Sequence, residues 1–268
     1  MISRTGKFLS IALSTAILFT CSGATFASAE ENANLYRYQK NASGETYGNN
    51  LQAKRLGYEA ELVLAVGEDG TTGYVRTSDL NGETPSSPEE AYTLQEERIE
   101  KGDTERYIPL YKNDGETIIG RFKVDFNPEE KTDTGITFRS RIPSDGYSYS
   151  ETYGAIDTPG YSYYVFNGIK NATLGVRGKT RIETQNKAAA PISYMGVKVR
   201  IFREKDGAIV RETDWYYNST ATPYFEKDAY YGTVSGNHFY SNGLTREWNR
   251  EISQYWTHVS TRSPNNPD

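Results

Sequence analysis

The side chains that most often carry acid–base, nucleophilic or metal chemistry are scarce in this 268-residue chain. It has two histidines, His238 and His258, and a single cysteine, Cys21. A metal site needs several His, Cys or carboxylate ligands at close spacing, and twenty positions separate the two histidines. The sequence therefore predicts two surface histidines, no metal site and no cofactor.

Motifs for nucleophilic catalysis and phosphate binding are also absent from the sequence. It contains no Gly-x-Ser-x-Gly elbow and no Gly-x-x-x-x-Gly-Lys loop. A triad of His258, Asp214 and a serine has no spacing in its favour. The 35 acidic residues leave a carboxylate pair for sugar hydrolysis open. Glu212 and Asp214 would share one strand face, where charged side chains are ordinary.

Tyrosine, in contrast, is abundant: the chain has 22 of these residues, whose rings and hydroxyls can contact a ligand. Six tyrosines lie between residues 147 and 164, and several of them alternate with serine. On a strand this spacing places the rings on one face. Such rings either pack a core or form a surface that binds a glycan or a protein. The candidate binding residues are Tyr147, Tyr149, Tyr161, Tyr163, Trp248 and Trp256.

The elements that must position these side chains are mostly short strands. Extended runs at residues 61–66 and 71–76 flank an Asp-Gly turn, and a second hairpin turns at Asp114-Gly115. Between the hairpins, Ser87 and Pro88 open a capping box and Gly102 ends the pattern, which predicts one surface helix of about 14 residues.

The pattern changes after a polar stretch at residues 128–134. Beyond it, runs such as residues 194–203 alternate at the strand period and no helix is predicted. The sequence therefore predicts a mainly β protein. Residues 30–127 would form a small α+β module with one helix, 128–134 a linker, and 135–268 an antiparallel β-sandwich or open barrel.

The first 29 residues are typical of a secretion signal. Arg4 and Lys7 precede an uncharged, largely apolar stretch, and Ala27-Ser28-Ala29 provides a small-x-small cleavage site. Bulky Phe19 before Cys21 fits a lipoprotein signal badly, so we expect cleavage after Ala29, no lipid anchor and no membrane span thereafter. Removal of two positive charges lowers the formal net charge from −5 to −7, which argues against nucleic acid as a partner.

Two groups of motifs carry a resemblance to known bacterial proteins. The first half contains Thr46-Tyr47-Gly48, Gly73-Tyr74-Val75, Pro88-Glu89-Glu90-Ala91, Ile108-Pro109-Leu110-Tyr111 and Asp114-Gly115. It resembles a small exported module of uncharacterised proteins from Bacillus-type Gram-positive bacteria. The second half, through residues 194–197, 215–219 and 239–243, is similar to another group of small secreted β proteins of these bacteria. The resemblance implies an exported protein with a largely β architecture, and it indicates no catalytic residue in this chain.

These observations favour a secreted, non-catalytic protein that binds at or outside the cell envelope. Its partner would be a cell-wall glycan or another envelope protein, and the sequence does not indicate an oligomeric state. The alternative is a secreted hydrolase of cell-wall or polysaccharide material that uses unidentified carboxylates. An enzyme should show a concave pocket on which at least two acids converge, one with a perturbed pKa, whereas a binder should show an aromatic face without them.

Overall fold

The computed structural model describes residues 37–127, 145–150, 155–158, 160–232, 236–259 and 261–267. The predicted signal at 1–29 and linker at 128–134 lie outside these residues. Strands account for 47% of the described residues and helices for 13%, which confirms the predicted mainly β class.

The elements follow one another as short strands, with helices confined to the first half of the described residues. The helices are α1 (Asn50–Leu56), α2 (Thr77–Asn81) and α3 (Pro88–Lys101). The strands are β1 (Gln39–Lys40), β2 (Thr46–Gly48), β3 (Leu62–Val66), β4 (Thr72–Arg76), β5 (Glu105–Tyr111), β6 (Ile118–Asp125), β7 (Ser148–Tyr149), β8 (Ala155–Thr158), β9 (Tyr161–Ala172), β10 (Gly175–Thr184), β11 (Met195–Lys198), β12 (Arg200–Arg203), β13 (Ile209–Thr213), β14 (Tyr216–Tyr217), β15 (Tyr224–Gly232), β16 (Phe239–Ser241), β17 (Leu244–Asn249) and β18 (Gln254–Val259).

Helix α3 has the bounds that its sequence predicts. The Ser87 hydroxyl accepts from the backbone N–H of Glu90, and Gly102 ends the helix with a φ of 70°. The Glu90 carboxylate accepts hydrogen bonds from Ser86. The shorter helices α1 and α2 were not predicted, although Asn49 and Gln52 form a reciprocal cap at the start of α1.

A closed ring of five strands forms the first part of the fold. Strands β3 to β6 are consecutive antiparallel neighbours, and β13 from the second half pairs in parallel with both β6 and β3. The continuation β12–β16 extends the sheet beyond the ring. The associated core cluster consists of Val63, Ala65, Val75, Leu80, Ile108, Leu110, Phe122, Val124, Phe202, Ile209 and Tyr240.

The remaining strands form two antiparallel sheets that pack on each other. One has the order β15-β10-β9-β7 with β8 also on β9, and the other has the order β14-β11-β17-β18. Their shared core cluster consists of Phe126, Tyr163, Val165, Ile182, Ala190, Met195, Val197 and Tyr216. This arrangement agrees with the antiparallel β-sandwich predicted for the second half.

The two predicted segments are joined rather than separate. Ile209 pairs with Ala65 across the parallel contact of β13 with β3, and Glu212 pairs with Val124 of β6. The first-half core cluster also includes Phe202 of β12. Residues on both sides of the predicted linker therefore contribute to one sheet and one core.

Candidate functional site

A cleft of about 640 Å³ opens between α3, the loop at residues 81–85 and the connection from β13 to β14. Ligand sites usually measure about 300–1,000 Å³. Its apolar lining comes from Phe126, Trp215, Tyr217 and Leu94. The cleft is therefore large enough for a small ligand or for a short stretch of a polymer.

Helix α3 is held beside the cleft by one amide side chain. The Gln95 amide nitrogen donates to the Tyr217 carbonyl at 3.0 Å, and its oxygen accepts from the Tyr217 N–H at 2.8 Å. Strand β14 is short and exposes backbone groups that need partners. The amide satisfies both groups of one residue and fixes the distance between the two walls.

The carboxylate of Asp214 lies inside the cleft and is ion-paired with two arginines. Asp214 Oδ2 is 2.9 Å from Arg98 and 2.7 Å from Arg106, and the Arg98 guanidinium stacks 3.9 Å over the Phe126 ring. Burial opposes ionisation of Asp214, but the charges of Lys198, Arg106 and Arg98 outweigh it and hold the pKa of this carboxyl below its ordinary value. Asp214 is therefore ionised and positions two arginines.

The Glu105 carboxylate at the edge of the cleft is also ion-paired. It lies 2.5 Å from Lys123, and hydrogen bonds from Lys123 and Tyr107 lower the pKa of its carboxyl. A general acid needs the opposite shift. Neither Asp214 nor Glu105 therefore has the raised pKa of a general acid, and both are ionised groups held in ion pairs.

A second notable pair joins the neighbouring strands β17 and β18 of one sandwich sheet. Glu247 has no exposed surface, and its Oε2 is 3.1 Å from His258 Nε2. Burial raises the pKa of the Glu247 carboxyl, and the hydrogen bond with Glu247 raises the pKa of His258. His258 is half-buried, with 33% of its side chain exposed. It pairs with Glu247, not with the Asp214 considered for a triad.

The Glu247–His258 pair should make stability depend on pH. The folded pKa of His258 lies above its ordinary 6.5, so its stabilisation is complete below pH 6.5 and is lost as pH rises through the folded value. The raised pKa of Glu247 has the same sign, since the folded state again binds the extra proton. We expect a lower melting temperature at pH 8 than at pH 6, and a smaller difference in His258→Gln. His238→Gln is the matched control and should leave the difference unchanged.

The structure distributes the six predicted binding rings over several clusters. Tyr147 and Tyr149 are buried against Phe166, Tyr163 is buried in the sandwich core, and Trp248 is buried beside Tyr255. The alternation does place the rings on one face, but that face packs inward. These four rings are therefore not a free binding surface.

Two of the six rings remain accessible. Tyr161 is half-buried beside Tyr163 and donates a hydrogen bond to the Ala189 carbonyl. Trp256 is 37% exposed and makes an edge contact with the His258 ring. They lie on different sheets, so the structure does not unite them into one site.

Sequence analysis missed the residues of the cleft. Arg98 has no predicted functional role, and Asp214 is predicted to lie on a strand face where charged side chains are ordinary. The signal that could have found them is the run Asp214–Tyr217, in which three aromatic residues directly follow the last acidic residue of a charged strand.

Two kinds of feature are absent from the described residues. No group of three or more His, Cys, Asp or Glu side chains among them is arranged to hold a metal ion. No helix within these ranges combines the length and the apolar character needed to cross a bilayer.

Comparison of the chain with protein-family models, with curated proteins and with solved structures gave no match.

Proposed function

We propose that this chain is a secreted, non-catalytic protein that binds a cell-wall glycan in the cleft beside α3. The supporting observation is a cleft of about 640 Å³ that combines the exposed Leu94 side chain with a carboxylate that two arginines hold ionised. Ligand pockets combine apolar contact area with a few fixed polar groups that orient the ligand. The same ion pairs keep Asp214 from acting as a proton donor, which favours binding over hydrolysis.

The charge of the lining indicates which glycans fit. Acids outnumber bases around the cleft: Glu83, Glu97, Asp103, Glu105 and Asp214 against Arg98, Lys101 and Arg106. An acidic cleft repels phosphate- and carboxylate-rich polymers. The ligand we propose is therefore a neutral glycan or one with free amino groups, whose hydroxyl and ammonium groups would donate to these carboxylates.

Secretion and the bacterial resemblance remain part of the proposal. The signal-like first 29 residues and the acidic remainder support it. The measurement is the intact mass of the protein from the culture supernatant, which should correspond to a chain that begins at Glu30 without a lipid. Recovery only from membranes, with an acyl chain on Cys21, would reject it.

Blocking the cleft should weaken binding to isolated cell walls. Leu94 lines the cleft, whereas Ile99 lies elsewhere on α3, and the two side chains are 38% and 39% exposed. Leu94→Trp should reduce retention of the protein on walls by about tenfold, or about 1.4 kcal/mol, because the indole fills the space. Ile99→Trp is the matched control and should bind like the wild type. The measurement is a pull-down over a range of wall concentrations.

A charge variant tests the class of ligand in the same assay. Glu97 lines the cleft and Glu100 does not, so Glu97→Lys should weaken binding while Glu100→Lys leaves it unchanged. Stronger binding by Glu97→Lys would mean an anionic polymer. Loss of wild-type binding after protease treatment of the walls would mean an envelope protein. Equal binding by Leu94→Trp and Ile99→Trp would show that the ligand binds outside the cleft.

The hydrolase alternative has one observation in its favour, the Glu247–His258 pair. A carboxylate that orients an imidazole is a common part of a hydrolytic site. Release of soluble sugar fragments from walls by the wild type, lost in His258→Gln and kept in His238→Gln, would replace the binding proposal with this one.

A further inference from the structure

One face of the β15-β10-β9 sheet carries charged side chains that are buried in spite of their charge. On β10, Lys179 and Arg181 point to this face, and Glu226 lies opposite on β15. All three are at most 5% exposed. Charged side chains are rarely buried unless they have close partners of opposite charge. The partners of these three side chains therefore need to be identified.

Lys179 lies between two carboxylates. Its Nζ is 2.8 Å from Asp145 Oδ2 and 2.9 Å from Glu226 Oε1. The other oxygen of Glu226, Oε2, is 2.7 Å from Arg181. The amine and the Asp145 carboxyl are therefore already in the contact from which they could react, with a second carboxyl beside the amine.

Aromatic rings and a hydroxyl complete the surroundings. The Tyr147 ring centre lies 4.6 Å from Lys179 Nζ, and the Tyr149 hydroxyl donates to Asp145 Oδ2 at 2.9 Å. Both tyrosines are buried. The rings exclude water from the contact, and the hydroxyl is placed to stabilise negative charge that develops on Oδ2.

We propose that Lys179 and Asp145 form an intramolecular amide bond, with Glu226 as the proton carrier. Glu226 takes a proton from the Lys179 ammonium and passes it to the Asp145 carboxylate, which leaves a neutral amine and a neutral acid. Nζ then adds to Cγ, the new C–N bond forms, and the Cγ–Oδ1 bond breaks. The hydroxyl leaves with the second nitrogen proton as water. Atoms and charge balance without an oxidant or another reactant.

The ion pair is the resting state before the reaction. Burial lowers the pKa of the Lys179 amine, but Glu226 and Asp145 outweigh it and raise that pKa. Burial likewise opposes ionisation of Asp145, but the hydrogen bond from Lys179 holds its pKa below the ordinary value. The neutral pair is thus a minor species and the reaction is slow. One reaction per molecule is sufficient, because exclusion of water protects the amide from hydrolysis. The fold also holds Lys179 and Asp145 in contact, so the two groups need not meet by diffusion.

The bond would tie a short edge segment to the middle of its sheet. Asp145 precedes β7, a two-residue strand at the edge of its sheet, and Lys179 is central in the ten-residue β10. After cleavage of the signal the chain would have no cysteine for a disulfide. A covalent link between distant residues restricts the unfolded chain in the way a disulfide does.

Mass spectrometry of the purified protein tests the bond. The wild type, denatured and digested, should yield one branched peptide that joins Asp145 to Lys179 and is lighter than its two parts by one water. Peptide mapping is needed because cyclisation of an N-terminal Glu30 also removes one water. The intact denatured protein should also migrate faster than Lys179→Arg in gel electrophoresis, because the bond closes a loop.

Variants separate the chemistry from folding. Glu226→Gln should retain both partners and lose the branched peptide, whereas Glu183→Gln, on the outer side of Arg181, is the matched control and should keep it. Asp145→Asn should give the same amide with loss of ammonia. Circular dichroism establishes that each variant is folded. Separate, unlinked peptides from the folded wild type after prolonged incubation would overturn the proposal, as would an undiminished bond in Glu226→Gln.

Discussion

Cleavage of the chain within residues 128–134 should leave two fragments that remain associated and that do not fold apart. The ring of β3 to β6 is closed by β13, so a fragment ending at residue 127 lacks a strand and exposes the edges of β3 and β6. Its core cluster also loses Phe202, Ile209 and Tyr240. Size-exclusion chromatography of the nicked protein should show one species until denaturant is added, and fragment 30–127 alone should show no cooperative thermal transition.

The control is a mixture of the two purified fragments refolded together, which should regain the circular dichroism spectrum of the intact protein. The intact chain should unfold in one transition, because both halves share a core. Independent cooperative folding of fragments 30–127 and 135–268 would instead support the two domains that the sequence predicts.

Local signals in the sequence identified helix α3 and both hairpins of the ring, but not the short helices α1 and α2. The Ser87 cap, Pro88 and Gly102 fixed the bounds of α3, and the Asp-Gly turns identified both hairpins of the ring. Such signals act within a few residues. The parallel pairing of Ile209 with Ala65 joins residues that are far apart along the chain, and no local propensity reports it.

Alternation along a strand identifies two faces but does not say whether one or both are covered. The tyrosines at 147 and 149 share a face as predicted, and the structure buries that face. In the run 194–203, Lys198 and Arg200 alternate with apolar residues, yet both are buried because other layers cover both faces of β11 and β12. The candidate site could not be predicted either. Its walls come from α3 and from the connection after β13, and only the tertiary structure brings these two segments together.

The burial of Lys198 and Arg200 depends on one carboxylate. Glu212 Oε1 is 2.9 Å from Lys198 Nζ, and Oε2 is 3.4 Å from Arg200 Nε. Lys198 also donates to the Leu80 carbonyl at the end of α2, and Arg200 has a second partner in Glu59. Burial lowers the pKa of the Lys198 amine in spite of the opposing charge of Glu212. Glu212 therefore compensates charges from two strands at the junction of the ring and the sandwich.

Removal of this carboxylate should be strongly destabilising. Glu212→Gln leaves Lys198 buried without its counter-ion, and breaking a buried pair in this way costs about 3–5 kcal/mol. Glu97→Gln is the matched control, because the exposed Glu97–Lys101 pair should contribute less than about 1 kcal/mol. The measurement is the free energy of unfolding from urea denaturation of the three proteins.

The double variant Glu212→Leu with Lys198→Met shows whether the cost comes from the unpaired charge. It removes the carboxylate and the amine together and leaves Arg200 with Glu59, so it should be less destabilising than Glu212→Gln alone. If the double variant lost as much free energy of unfolding as Glu212→Leu and Lys198→Met lose together when made singly, the two side chains would act independently. A loss below about 1 kcal/mol for Glu212→Gln would show that Lys198 gives up its proton at little cost, because a neutral amine needs no counter-ion.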